Sequence, residues 1–212
     1  RGLNDFTIYE KADRLGGTCV NVGCVPKKLM VYASQYADAF ADARGFGWTL
    51  PEAPRFEWSV FRDAMDREVA RLNATYGRLL ASSGCELIRG RARLLDPHTV
   101  EVATAAGPAR YSAQHILLAT GGRPRRPVEP GTERAWVSDD VFAMRALPRR
   151  LLVGGGGYIA LEMACVFSGL GAKVTLVHRG PRLLHGFDED VRTVIATELD
   201  KRGIDVRLHT RV

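Results

Sequence analysis

Apolar and polar residues alternate over residues 6–10, the period of a half-buried strand, and the run ends on an acid, Glu10. After Pro26, which suits a first helical turn, Leu29, Ala33, Tyr36, Ala37 and Phe40 recur at helix spacing. Gly45-Phe46-Gly47-Trp48 breaks that pattern, and Pro51 and Pro54 extend a loop. A second helix is expected from Ser59, a plausible cap, with Phe61, Met65, Val69, Leu72, Tyr76 and Leu80 as its apolar stripe, ending before Gly84. Three alternating runs follow, residues 86–95, 99–103 and 109–112, separated by Asp96-Pro97-His98 and Ala106-Gly107-Pro108; they predict an antiparallel meander. Residues 116–119 predict a buried strand running into Thr120-Gly121-Gly122. Residues 123–130 form a Pro/Arg linker.

Beyond the linker the pattern changes to strand, glycine turn, helix, strand. Leu151-Leu152-Val153 predicts a strand directly before Gly155-Gly156-Gly157-Tyr158-Ile159-Ala160, a Gly-x-Gly-x-x-Ala turn. Ile159, Met163, Val166, Phe167 and Leu170 predict the helix after it, Gly171 its stop, and residues 173–177 the next strand. Asp188 caps a further expected helix carrying Val191, Ile195 and Leu199; Gly203 ends it, and residues 204–208 predict a third strand. Backbone N–H groups at the N-terminus of the first of these helices suit a pyrophosphate. In such a fold the residue ending the second strand chooses the nucleotide: an acid accepts ribose hydroxyls, an Arg a 2′-phosphate. Here it is Arg179, after Val177-His178. The expected architecture is α/β, with a boundary between residues 1–123 and 124–212.

Composition narrows the function classes. With 212 residues the chain can bury a substantial core, and its 46% hydrophobic and 25% charged content is that of a globular protein. Four cysteines in this length do not make a secreted disulfide scaffold, and no apolar run reaches membrane length. Cytoplasmic residence, without a membrane partner, is the expectation. The net charge of +6 favours anionic ligands, but no helix carries a basic stripe interleaved with aromatics, so no nucleic-acid partner is expected.

The chemistry concentrates in Gly16-Gly17-Thr18-Cys19-Val20-Asn21-Val22-Gly23-Cys24-Val25-Pro26-Lys27-Lys28. Two thiols this close suit thiol–disulfide exchange, which needs an attacking thiolate and a resolving partner; Lys27 and Lys28 supply cations that favour a thiolate. On the residues alone the pair could equally be a structural disulfide or two buried thiols. Zinc is disfavoured, because Cys85 and Cys165 are isolated and no His pair sits at ligand spacing. No metal site is expected.

This stretch closely resembles the redox motif of the flavin disulfide reductases, the class I pyridine nucleotide-disulfide oxidoreductases, and its Lys-Lys ending is most similar to the glutathione reductase group. The resemblance covers essentially the whole chain and is weakest over the first eleven residues, where residues 5–11 also resemble flavin monooxygenases of the Baeyer–Villiger kind. It implies a Rossmann-like FAD-binding segment with an antiparallel meander, followed by part of an NAD(P)-binding Rossmann domain. NADPH would reduce FAD, and FAD the Cys19–Cys24 disulfide. Cys24 would lie nearer the flavin and carry its charge-transfer thiolate; Cys19 would attack the substrate, glutathione disulfide. Lys27 and Glu162 would pair beside the flavin. Glu10 would hold the FAD ribose, with Gly17, Thr18, Lys28, Thr120 and Gly121 also at that cofactor. Gly155, Gly157, Tyr158, Ile159, Ala160 and Arg179 would hold NADPH. Tyr76 would cover the substrate, although its helix stripe alone suggests a core tyrosine. His185 stands where the glutathione reductases commonly carry a second Arg, which implies a weaker NADPH preference that grows as His185 is protonated; Arg182 is the alternative second cation.

The resemblance also implies a homodimer in the full-length form and a catalytic His from a part not seen here. Only nine residues precede Glu10, whereas a phosphate loop is expected about 20 residues before such an acid. The chain is therefore expected to be a fragment, inactive alone and with two unpaired sheet edges. The alternatives are a sibling reductase acting on trypanothione, thioredoxin, mercuric ion or dihydrolipoamide, and a non-catalytic nucleotide-binding module.

Overall fold

A computed structural model describes residues 7–10, 12–50 and 52–211. Phe6, Lys11 and Pro51, which the sequence places in the first strand, just after it and in the first loop, lie outside the described residues. The elements run β1 (Thr7–Glu10), α1 (Gly17–Val22), α2 (Cys24–Ala43), α3 (Trp58–Ser82), β2 (Glu86–Arg89), β3 (Arg91–Asp96), β4 (Thr99–Thr104), β5 (Gly107–Ser112), α4 (Ser138–Val141), β6 (Arg150–Gly154), α5 (Tyr158–Gly169), β7 (Lys173–Val177), α6 (Glu189–Lys201) and β8 (Asp205–Arg207). Two compact units share them: residues 1–26 with 64–139, and residues 27–63 with 140–212. No helix among the described residues is long and apolar enough to cross a membrane.

In the first unit β1 pairs in parallel with β2, Thr7 opposite Glu86 and Glu10 opposite Arg89. β3, β4 and β5 form an antiparallel meander in which Val100 and Val102 of β4 are buried. The run over residues 86–95 is therefore two strands in two sheets rather than one strand of the meander. Gly90 makes the division. Its N–H donates to the Glu10 carbonyl at 3.0 Å, ending the parallel pair. A Cβ on Gly90 would lie 2.4 Å from the Ala103 carbonyl oxygen and 2.7 Å from Val102 Cγ1, so only a glycine lets the chain pass there.

The segment over residues 116–119 departs from its pattern. It is irregular, and Leu117 and Leu118 are 80% and 66% exposed. A strand needs a neighbour for its N–H and C=O groups, and none among the described residues pairs with it.

In the second unit β6, β7 and β8 form a parallel sheet with β7 central. Strand, helix, strand, helix, strand in this order is consistent with a Rossmann-like half. Met163, Val166 and Phe167 of α5, Leu170 just after it, and Val174, Leu176 and Val177 of β7 are buried, as the patterns predict, whereas Ile159 in the first turn of α5 is 46% exposed. Gly154 completes β6 opposite Val177 despite its lack of a side chain. Asp188 caps α6, its Oδ1 accepting from the Asp190 N–H at 2.9 Å. The helix over the second apolar stripe starts at Trp58, so Ser59 lies in its first turn and is not the cap. The indole of Trp58 is buried there and donates to the Met144 carbonyl at 3.0 Å.

The Gly90 contact is open to a direct check. Gly90→Ala should destabilise the chain by roughly 1–3 kcal/mol, the usual cost of forcing extra volume into a filled site. Gly45→Ala, where an added Cβ meets nothing within 4 Å, should stay within about 0.5 kcal/mol of the parent. Urea midpoints of the two variants measure both, and equal midpoints would contradict the assigned role of Gly90.

Candidate functional site

The cysteine turn is built by three glycines with different tasks. Gly16 and Gly17 have φ of 99° and 61°, the left-handed region that side-chain-bearing residues disfavour, and they turn the chain from Leu15 into α1. Gly23 separates α1 from α2. A Cβ there would sit 2.8 Å from the Thr18 carbonyl oxygen and 3.2 Å from Cys19 Cα. The start of α2 thus folds directly onto the turn that carries Cys19.

Both cysteines are free thiols and exposed. Cys19 shares a side-chain hydrogen bond with Cys24, which is the largest influence on its acidity and raises its pKa above the ordinary thiol value. Desolvation acts in the same direction. The backbone of Cys24 and Val25, at the N-terminus of α2, acts in the opposite direction by hydrogen-bonding the Cys19 sulfur. The arrangement is a pair of exposed free thiols beside the N-terminal backbone of α2.

Two asparagines hold this turn, and the sequence motifs gave neither of them a role. Asn21 Nδ2 donates to the Leu15 and Gly17 carbonyls at 3.0 and 2.9 Å. Asn73, on α3, donates to the same Leu15 carbonyl at 2.8 Å and to Asn21 Oδ1 at 3.0 Å. The readable signal was the type of residue: a short amide between two redox cysteines, and another on the helix stripe in place of an apolar residue. Tyr76 follows Asn73 by three positions on α3 and is 40% exposed, so the helix stripe does not bury it.

Glu10 ends β1, and its Oε1 accepts the Ala12 N–H at 2.9 Å. Thr18 and Gly17 are exposed on α1. Thr120 and Gly121 are exposed on the irregular segment after β5, and no hydrogen bond among the described residues ties them to Glu10 or to the cysteines.

In the second unit Lys27 of α2 donates to Glu162 Oε1 of α5 at 2.6 Å, with 23% and 38% of the two side chains exposed. These are the two residues expected to pair, 135 positions apart. The Lys28 ammonium lies 4.9 Å from the centroid of the Tyr32 ring. Among the described residues, no group of three or more His, Cys, Asp or Glu could hold a metal ion.

The glycine turn after β6 has a backbone that side chains could not follow. Gly155 has φ of 144°, donates to the Val177 carbonyl at 2.9 Å, and would place a Cβ 3.2 Å from that of Ala160. The His178 ring occupies the space beside Gly156, 2.6 Å from where its Cβ would be. Gly157 faces open space and precedes α5, whose N-terminus has no side-chain cap. Its first N–H groups are therefore available to an anion. Tyr158 and Ile159 are 59% and 46% exposed there.

Arg179 is exposed past β7 and makes no ion pair among the described residues. Arg182 does not serve as a second free cation: it pairs with Glu189 and donates to Thr193 Oγ1 at 3.3 Å. His185 is exposed between Leu184 and Gly186, both at positive φ. The turn carrying it is latched by the Leu184 N–H, which donates to the Gly156 carbonyl at 2.7 Å.

The thiol geometry makes a prediction about pH. Because the interaction with the Cys24 side chain is the main cause of the raised Cys19 pKa, Cys24→Ala should lower it while leaving the helix backbone in place. Alkylation of Cys19 by iodoacetamide near neutral pH should then speed up several-fold, a pKa fall of one unit giving about tenfold more thiolate. Peptide mass mapping of the reaction checks this, and an unchanged or slower rate would contradict it.

Comparison with known proteins agrees with the geometry. The chain is 47% identical to a glutathione reductase of Burkholderia cepacia, over 92% of its own length and 42% of that protein. It is 44% identical to a glutathione reductase of a Nostoc species, again over 92% of this chain and 41% of the relative. A chloroplastic/mitochondrial glutathione reductase of Pisum sativum is 43% identical over 82% of the chain and 31% of its own length. The chain thus spans less than half the length of these curated relatives. The family model of the pyridine nucleotide-disulphide oxidoreductases matches residues 3–212, and with a cysteine pair, a glycine turn and an open helix N-terminus in their described places, the chain belongs to that family.

Proposed function

We propose that this chain carries the redox cysteines and the nucleotide-binding turn of an NADPH- and FAD-dependent reductase of glutathione disulfide. The observation that carries the reading is the pair of exposed free thiols, Cys19 and Cys24, on either side of Gly23, whose close approach folds the start of α2 onto the turn that carries Cys19. In this reading residues 1–123 serve FAD and residues 124–212 serve NADPH.

The chain's own residues account for the substrate half of the reaction. The Cys19 thiolate attacks one sulfur of glutathione disulfide, forming a mixed disulfide and releasing one glutathione, whose thiolate takes a proton. Cys24 then attacks the Cys19 sulfur and releases the second glutathione, leaving the Cys19–Cys24 disulfide. The backbone at the start of α2 stabilises the attacking thiolate, and exposed Tyr76 offers a surface for the substrate. NADPH, with FAD as relay, supplies the electron pair that reopens the disulfide.

The residues present fit both cofactors. The open space at Gly157, the uncapped start of α5 and the exposed Arg179 suit a pyrophosphate and a 2′-phosphate. Gly155, Tyr158, Ile159 and Ala160 complete the turn, and His185 is the nearest second candidate for the phosphate in sequence. Glu10, at the end of a parallel strand, suits ribose hydroxyls, with Gly17, Thr18, Lys28, Thr120 and Gly121 offered to the rest of FAD. The Lys27–Glu162 pair holds an ammonium in a fixed place for the flavin.

A chimaera tests the reading: this chain replaces the matching residues of the Burkholderia cepacia relative. NADPH-dependent reduction of glutathione disulfide should persist, and Cys19→Ser or Cys24→Ser should each lower kcat by about a thousandfold or more, as loss of a covalent nucleophile does. Turnover that survives both substitutions would refute the assignment.

Cofactor choice gives an independent measurement. Arg179→Glu in the same chimaera should reverse the preference from NADPH toward NADH, because the carboxylate repels a 2′-phosphate and accepts ribose hydroxyls. The change in the ratio of kcat/KM values should reach about a hundredfold, a loss on one nucleotide joined to a gain on the other. An unmutated chimaera that prefers NADH would remove Arg179 from the site.

A further inference from the structure

The four hydrogen bonds made by Asn21 and Asn73 use both N–H groups of each amide, and all of them end within the cysteine turn. The Leu15 carbonyl accepts from both side chains, at 3.0 and 2.8 Å, and Leu15 itself is 8% exposed. Asn21 lies between the two cysteines on α1, and its bond to the Gly17 carbonyl ties the left-handed glycine turn to the helix it starts. Among the described residues α1 has no other side-chain brace of this kind: its N-cap, Gly16, has no side chain, and only Val20 on it is buried. Asn73 is therefore the bridge by which a 25-residue helix, α3, holds a six-residue one. Short isolated helices are unstable in water, so α1 depends on such a brace for its shape.

We propose that Asn73 is a positioning residue for the cysteine pair: through Leu15 and Asn21 it fixes α1, holds Cys19 in place against Cys24 and so sets how readily the two form a disulfide. The inference rests on the reading of Cys19 and Cys24 as a redox pair. Disulfide closure depends on the effective concentration of one sulfur at the other, and that falls when the element carrying one of them can move. Tyr76 lies one turn along α3 from Asn73, on the same side of the helix. The helix that offers the aromatic surface is thus also the helix that places the attacking sulfur, and Asn73 keeps the two in register.

The test is an equilibrium between the chain and graded mixtures of oxidised and reduced glutathione. Closing the Cys19–Cys24 bond takes two electrons and two protons from the thiols, and one glutathione disulfide accepts them to become two glutathione molecules. Mass mapping reads the closed pair as a peptide product short of two hydrogens. Asn73→Ala should lower the equilibrium constant for closure about five- to tenfold, the effect of one or two hydrogen bonds no longer holding a reacting group. Asn73→Asp keeps the size and shape but turns the donor into an acceptor facing two oxygens, so it should move the constant in the same direction. Arg71→Ala, which removes an exposed pair with Glu68 on the same helix, should leave the constant unchanged.

A parent chain that closes no Cys19–Cys24 disulfide would overturn the redox reading and the inference with it. A parent that closes while the Asn73 variants share its constant would overturn the inference alone, even if their thermal midpoints fall. Loss of the fold in both Asn73 variants would also overturn it, because Asn73 would then hold the structure rather than aim a thiol.

Discussion

The close approach of Gly23 to the Thr18–Cys19 backbone is the constraint on which the rest of the site depends. Two helices that meet end to end normally leave room for side chains at the joint. Here the joint has none, and the N-terminal backbone of α2 reaches the sulfur of a residue on α1. The Cys19 thiol is thereby pulled in two directions. The neighbouring Cys24 makes it a weaker acid, and the backbone at the start of α2 makes its anion more tolerable. Such a balance suits a sulfur that must act as a nucleophile at one moment and as one half of a bond at the next.

Much of this was legible in the sequence where local signals and packing agree. The Gly-x-Gly-x-x-Ala turn followed a run of apolar residues, preceded a helix stripe and had Asp188 and Gly203 marking the next helix; the described β6, α5, β7, α6 and β8 follow that pattern. The Lys27–Glu162 pairing was expected from resemblance alone, since no periodicity links residues so far apart, and the two side chains do meet. The failures have one cause: strand partners are not written in a strand's own pattern. Residues 86–95 mix polar and apolar residues on both sides of Gly90, and residues 116–119 are as apolar as a buried strand. One run is divided between two sheets and the other is paired by neither.

The polar network was harder to read for a different reason. Asn21 and Asn73 each sit inside a recognisable motif, but an amide's role is fixed by which carbonyls lie within reach, and those belong to residues up to 58 positions away. Arg182 shows the same limit. Its charge and position make it a candidate for a phosphate, and only the placement of Glu189, the first residue of α6, shows that it is already engaged. Arg179 differs from Arg182 in making no ion pair among the described residues rather than in its own chemistry. His178 is also defined by what surrounds it: its ring fills the space that glycines at 156 and 180 leave free.

The junction at Gly90 bears on the order in which the first unit assembles. β3, β4 and β5 are joined by short turns, so their pairing closes only small loops and should proceed early. β1 and β2 have α1, α2 and α3 between them in sequence, and their pairing closes a long loop with correspondingly greater entropic resistance. Because Gly90 joins β2 to β3 without an intervening residue, the completed meander holds β2 ready as a template before β1 arrives. The last strand to dock in this account carries Glu10, so a nascent chain would gain its meander well before that carboxylate is fixed in place.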